Sequence, residues 1–345
     1  MEFRDLLTNP PSWSSAEGEF AEIVLSSRVR LARNMAKFKF PLRTKQEELE
    51  EILNFIEERV TSIEGDKLIL RLVDFSPIDR EFLAERHLIQ REFLKDGRGK
   101  GVGIWSGEDL TLVINEEDHL RLQSITPGLN LERAYELTNK LDDELSKRLE
   151  YAFSAQLGYL TACPTNTGTG LRVSALIHLP GLVHSGKIKK VLEKLGQIGF
   201  SVRGFYGEGT RVEGNFFQVS NQTTLGRKEE EIVDGLHRTI LQVIEYENNA
   251  RELLLKSARL QIEDKIWRAY SILKSARLLS SEEFINLSSA VRLGIGLGVL
   301  KDVRLRTLNE LLIFTKPSHL QRITQKPMEP SERDARRAMY VREKL

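Results

Sequence analysis

The run IVLSSRVRLA, residues 23–32, alternates in period two. A strand here carries Ser26, Arg28 and Arg30 on one face and Leu25, Val29 and Leu31 on the other. Two guanidinium groups then stand about 7 Å apart beside an aliphatic face. Like charges at that spacing repel, and a polyanion bridging them relieves the repulsion; the planar fork of Arg suits phosphate oxygens. From this run alone a solvated strand face is the plainer alternative. The arrangement recurs at Arg172 in LRVSALIHL, whose other face is Leu171, Val173, Ala175 and Ile177, and at Arg203 in SVRGFYGEG, both beside glycine turns that let backbone approach a ligand. NEEDHLRL, after an apolar strand, adds Glu116, Glu117, Asp118, His119 and Arg121. The same residues would also suit a helix first turn with a Glu117–Arg121 pair at i,i+4. The single cysteine, Cys163, heads the loop CPTNTGTG before the Arg172 strand. It is either a buried structural thiol or a chemical one.

The elements that must hold these residues read as follows. Residues 1–20 show little pattern, and the folded part is expected to start near Glu22. Thr44 and Glu47 have capping-box spacing, and Leu49, Ile52, Leu53 and Ile56 form a helical stripe. LILRLVDF (68–75) reads as a strand, Ser76-Pro77 opens a short helix, and GVGIW and LTLVIN flank a turn at 106–109 as a hairpin. A long helix is expected over 131–154 and a shorter one over 185–196. LRVSALIHL, FSVRGFYGE and NFFQVSN read as strands. The expected class is α+β with an antiparallel sheet flanked by helices, followed from about residue 226 by a mainly helical region. The expected division is a lead-in at 1–20, an α+β domain at 21–225 and a helical domain at 226–345. The glycines of LGIGLGV have the wrong spacing for a dinucleotide loop.

With 51 Lys and Arg against 50 Asp and Glu over 345 residues, no global field draws the chain to nucleic acid or to an anionic membrane, so any polyanion site is local. One cysteine forms no internal disulfide, and no apolar leader or membrane-length run is present. A reducing cytoplasm is the expected location.

Taken in order, LSSRVRLARN, VINEEDHLR, CPTNTGTGLR and RGFYGEG resemble the signatures of the phosphagen (guanidino) kinase catalytic domain. The ending SERDARRAMYVREKL, and the scarcity of residues ahead of the first motif, resemble the bacterial protein arginine kinase branch. The resemblance covers roughly residues 20–345. It implies that Arg28, Arg30, Arg121, Arg172 and Arg203 hold the ATP phosphates. Ser26, Ser27, Val29, Val173, Ser174, Ala175, Leu176, Gly204, Phe205, Tyr206, Gly207 and Glu208 adjoin the nucleotide, and His87 lies near the adenine. It implies that Glu117, Glu208 and the Cys163 sulfur surround the guanidinium acceptor, with Mg²⁺ arriving on the ATP rather than in a protein cage. It further implies a phosphoarginine pocket at Arg333, Asp334, Arg337 and Ala338.

The implied reaction moves the γ-phosphoryl group of ATP to a guanidinium nitrogen, chemistry that depends chiefly on positioning and charge stabilisation. A guanidinium, with a pKa of roughly 12.5–13.8, is a poor nucleophile until something orients it and takes a proton. Two carboxylates suit that task, with Glu208 expected as the base, and a thiolate at Cys163 would stabilise the cation. Arg side chains of proteins are the expected acceptors. The resemblance further implies a Clp-type chaperone-protease downstream, an activator protein and a role in stress regulation, and the helical C-terminal part with its phosphoarginine pocket makes a homo-oligomer the expected state. The alternatives are a kinase of free arginine or another small guanidine, and a non-catalytic phosphoarginine-binding adaptor.

Overall fold

The computed structural model describes residues 1–204 and 213–345, with Glu92 by its backbone alone. Its strands are β1 Val24–Arg33, β2 Lys67–Arg71, β3 Gly101–Trp105, β4 Leu110–Ile114, β5 Leu120–Pro127, β6 Phe153–Ser154, β7 Gly158–Tyr159, β8 Leu171–His178, β9 Phe200–Gly204 and β10 Phe216–Asn221. Its helices are α1 Asp5–Thr8, α2 Gln46–Thr61, α3 Pro77–Glu85, α4 Leu131–Ser146, α5 Pro180–His184, α6 Ile188–Gln197, α7 Glu229–Ser275, α8 Ser281–Gly296, α9 Leu305–Phe314, α10 Pro317–Thr324 and α11 Pro330–Lys344. Eight strands form one antiparallel sheet in the order β2-β3-β4-β5-β1-β8-β10-β9, and β6 and β7 make a separate ribbon. The expected α+β class holds.

The period-two pattern decides the two faces of the sheet. Val29, Leu31, Leu122, Leu171, Val173, Ala175, Ile177 and Val219 pack into one cluster with Leu141 and Leu145 of α4 and with Ile240 and Val243 of α7. Truncating a side chain as buried as Leu145 to Ala costs about 2–5 kcal/mol. α7 runs on past this core, bends at Ala258, whose φ of −146° is not helical, and places Ile262, Ile266, Ala269 and Leu273 in a second cluster with α8, α9 and α11. No helix of the described residues is long and apolar enough to cross a membrane.

Several sequence expectations change. Thr44 does not cap α2: its hydroxyl donates to the carbonyls of Lys39 and Phe40, and Lys45 occupies the cap position. α4 ends at Ser146, because the chain beyond it turns to pair Tyr151 with Met35 and to enter β6. Ser76 does cap α3, with the reciprocal Asp79 bond expected of a capping box. Leu25 sits at a break in the β1–β8 register and packs in the second cluster with Ile125 and Phe216, away from Val29 and Leu31. Residues 1–20, unpatterned in sequence, are packed. Leu6 and Trp13 are buried, Ser14 and Asn9 offer their carbonyls to Asn309 and Arg86, and the neighbouring Ala21 offers its own to Arg292.

The helical region is keyed to the sheet domain through α10. The Ser318 and His319 amides both donate to the Glu85 carboxylate at 3.0 Å, where the positive end of a helix favours an anion. Arg322 Nε pairs with Asp79 Oδ1 at 2.9 Å alongside.

Candidate active site

Opposed residues of an antiparallel pair share a face, and the register therefore gathers the arginines. Arg30 stands opposite both Arg172 and Gln123, Arg28 opposite Ser174 and Ile125, and Arg203 opposite Gln218. Arg121 is opposite Ala32 of β1, next along the strand on that same face. All five guanidinium-bearing positions thus lie on one side of the sheet. The α3 side of that face is covered by Val102, Ile104 and Val113, and the other end by Ile125 and Phe216. The buried Arg30 Nε has no hydrogen-bond partner, and no ion pair engages Arg30 among the described residues. Burial, with Arg121 and Arg172 nearby, lowers the Arg28 pKa to about 10, and burial with Arg28, Arg121 and Arg172 pushes that of Arg30 well below its usual value. Such a cluster is stabilised by an anion with several charges.

Glu117 lies in a strand-to-strand turn, not in a helix first turn. The Asn115 amide donates to the His119 carbonyl at 2.9 Å, and Asn115 takes a φ of 57°, a conformation Asn tolerates. Arg121 bonds Glu116 and lies 3.7 Å from Glu117 Oε2. Burial, with Asp118 adding to it and Arg121 opposing, raises the Glu117 pKa. The cysteine loop is tied to this turn: Asp118 Oδ1 accepts from the Ala162 amide at 2.7 Å and from Asn34 Nδ2 at 2.5 Å, and Asn34 Nδ2 also donates to the Leu160 carbonyl. Cys163 is half-buried, its Sγ 3.0 Å from Thr165 Oγ1. Thr224 straps the loop by donating to the carbonyls of Thr165 and Thr167. Gly170 must be glycine, since it has a φ of 67° and a Cβ would lie 2.6 Å from the Ala32 carbonyl oxygen. Glu208, with Phe205, Tyr206 and Gly207, lies outside the described residues.

The far end of the arginine face opens into a narrow cleft lined by the expected Ser26, Arg28, His87, Ser174 and Leu176, together with Trp13, Ile125 and Gln218. His87 meets Trp13 edge-on, ring centroids 5.7 Å apart. Burial and the Arg28 charge lower the His87 pKa to about 3, so the ring is neutral at ordinary pH. Four expected contacts turn away. Val29, Val173 and Ala175 project into the core on the opposite face, and Ser27 Oγ donates to the Gly128 carbonyl and accepts from the Asn130 amide. Strand alternation is the reason. Gly204 ends β9 beside Arg203. Asp118 belongs to the acidic run that the sequence marks, whereas Gln123 and Asn34 carry no such mark, although alternation from Arg121 places Gln123 on the arginine face. Nothing in the sequence around Trp13 marks it.

In the C-terminal motif, Arg337 is buried. It donates to the carbonyls of Thr315 at 2.9 Å and Leu279 at 2.7 Å and pairs with Asp334 at 2.6 Å. Arg333 Nη1 donates to the Met328 carbonyl, and Ala338 is buried in the second cluster. Asp334 is therefore engaged by Arg337 within the chain.

The family model of the ATP:guanido phosphotransferase C-terminal catalytic domain matches residues 48–250, and that of the protein-arginine kinase McsB C-terminal domain matches 259–345. The chain belongs to the protein-arginine kinase family. A protein-arginine kinase of Symbiobacterium thermophilum is 45% identical over all of this chain and 99% of its own length. That of Bacillus subtilis is 41% identical over 97% of this chain and 93% of its own. A lombricine kinase structure matches with a TM-score of 0.60 at 25% identity, covering 70% of this chain and 71% of that one. A duplicated taurocyamine kinase of Schistosoma mansoni, with bound transition state analog components, matches at 0.61 and 26%, covering 82% and 41%. The two family models meet near the Ala258 bend of α7.

Proposed function

We propose that this chain transfers the γ-phosphoryl group of ATP to the guanidinium of arginine side chains in proteins. The observation that carries the reading is the convergence of five arginines from β1, β5, β8 and β9 on one sheet face, with Arg30 Nε buried and no described carboxylate paired with Arg30. The triphosphate lies along that face and the base in the cleft of His87. At the other end Glu117 orients the acceptor cation and holds its nitrogen toward the γ-phosphorus, with Cys163 presented on the loop anchored to the same turn through Asp118. Glu208 is the proposed base. Among the described residues no three His, Cys, Asp or Glu side chains gather as a cation cage. Mg²⁺ carried on the nucleotide would neutralise charge on the phosphate oxygens.

The test incubates the protein with ATP and Mg²⁺ and either an unfolded protein or free arginine, and follows acid-labile phosphate. Labelling of the protein is the expected result. Labelling of free arginine alone would replace the acceptor, and labelling of neither would remove the kinase reading.

A further inference from the structure

Gln123 is buried on β5 between the two ends of the nucleotide face, 4% exposed. Its Oε1 accepts from Arg28 Nε at 2.6 Å and from Arg28 Nη2, and its Nε2 donates to the His87 carbonyl at 2.8 Å. These partners fix the amide in one orientation, since a guanidinium only donates and a carbonyl only accepts. His87 needs holding: its φ is 63°, a conformation a non-glycine residue keeps only when its surroundings impose it. The choice of a neutral amide also matters. A carboxylate would grip Arg28 as firmly but would cancel the charge a phosphate must meet, whereas Gln orients the guanidinium and leaves it cationic.

We propose that Gln123 is a positioning residue that locks the triphosphate-binding Arg28 and the base-side His87 into one unit, so that the site recognises phosphate and base together. The inference rests on the ATP reading above.

The experiment compares wild type with Gln123→Met, which has similar bulk and no amide, and Gln123→Glu, which keeps the acceptor for Arg28 and loses the donor to His87. Steady-state kinetics with ATP and an unfolded protein are combined with titration of ATP and of inorganic tripolyphosphate. Both variants raise the KM for ATP about tenfold or more, Q123M by losing hydrogen bonds to a charged group and Q123E by cancelling the Arg28 charge and losing the bond to His87. The KM for the protein acceptor stays unchanged. Q123M also loses affinity for ATP more than for tripolyphosphate, because the base side is no longer fixed. An unchanged KM for ATP overturns the proposal. So does an equal rise in both KM values, which marks general loosening, or an equal loss for the two ligands, which makes Gln123 an orienter of Arg28 alone. If Q123M does not fold, Q123E carries the KM comparison, and the same results support or overturn the proposal. Wild type failing to bind ATP would instead sink the ATP reading.

Discussion

Arg30 brings a positive charge to a desolvated place where no described carboxylate pairs with it, Glu116 acting only from a distance, and Glu117 brings a negative one to a place where burial resists its ionisation. The first is relieved by a bound polyanion and the second by a bound cation. The site is therefore electrostatically complementary to the two reactants. In the proposed reaction the ionised Glu117 would hold the guanidinium, and its pKa is raised. Activity should thus be lost as pH falls through a value above the ordinary glutamate range, and kcat/KM measured against pH should show that acidic limb. Glu117→Gln should abolish the limb and lower kcat/KM by about 10²-fold or more; near wild-type rates in that variant would remove Glu117 from the acceptor site. Cys163→Ser should leave the unfolding midpoint in place and lose most of the turnover. Unaltered turnover would return Cys163 to a packing role.

At the scale of elements, the arginine strands were legible because period two says which side chains share a face, and pairing then adds the faces of neighbouring strands. That logic also displaces Val29, Val173 and Ala175, which belong to the core by the same alternation. What alternation could not report is an extra residue: the break in register at Leu25 moves that side chain to the second cluster. Nor could it report long-range claims on a segment, as where Met35 draws Tyr151 out of a helical continuation of α4. The motif on α11 shows a further limit. Spacing puts Arg333 and Arg337 on one side, but Arg337 bonds the α9–α10 junction at Thr315 and the chain before α8 at Leu279, which makes it a strut. Arg337→Ala should cost about 3 kcal/mol or more in denaturant unfolding, since it strips a buried carbonyl pair and Asp334 of their donor. Arg333→Ala should cost no more than about 1 kcal/mol. Equal costs would refute the strut, and phosphoarginine binding is better tested at Arg333 than at Arg337.

For the whole molecule, net charge conceals the site: a chain of formal charge +1 concentrates five arginines on one sheet face. Two hydrophobic clusters share one helix, and the cleft of His87 is walled from the second, to which Trp13 and Ile125 belong and against which Leu176 packs. A fragment ending at Ala258 retains the arginine strands and those lining residues yet strips the second-cluster helices packed behind them and the α10 contact of Glu85. It should bind ATP at least about tenfold more weakly than the full chain by titration, in keeping with the loss of the apolar and hydrogen-bonded support behind the cleft. Full affinity in the fragment would make the cleft self-sufficient.

The docking of the first twenty residues has a consequence for biogenesis. Ser14 and Ala21 leave the ribosome early, but their partners Asn309 and Arg292 are translated 295 and 271 positions later. The nascent chain therefore holds Trp13 beside carbonyls whose donors are still to come, and the cleft that Trp13 lines is completed only near the end of synthesis.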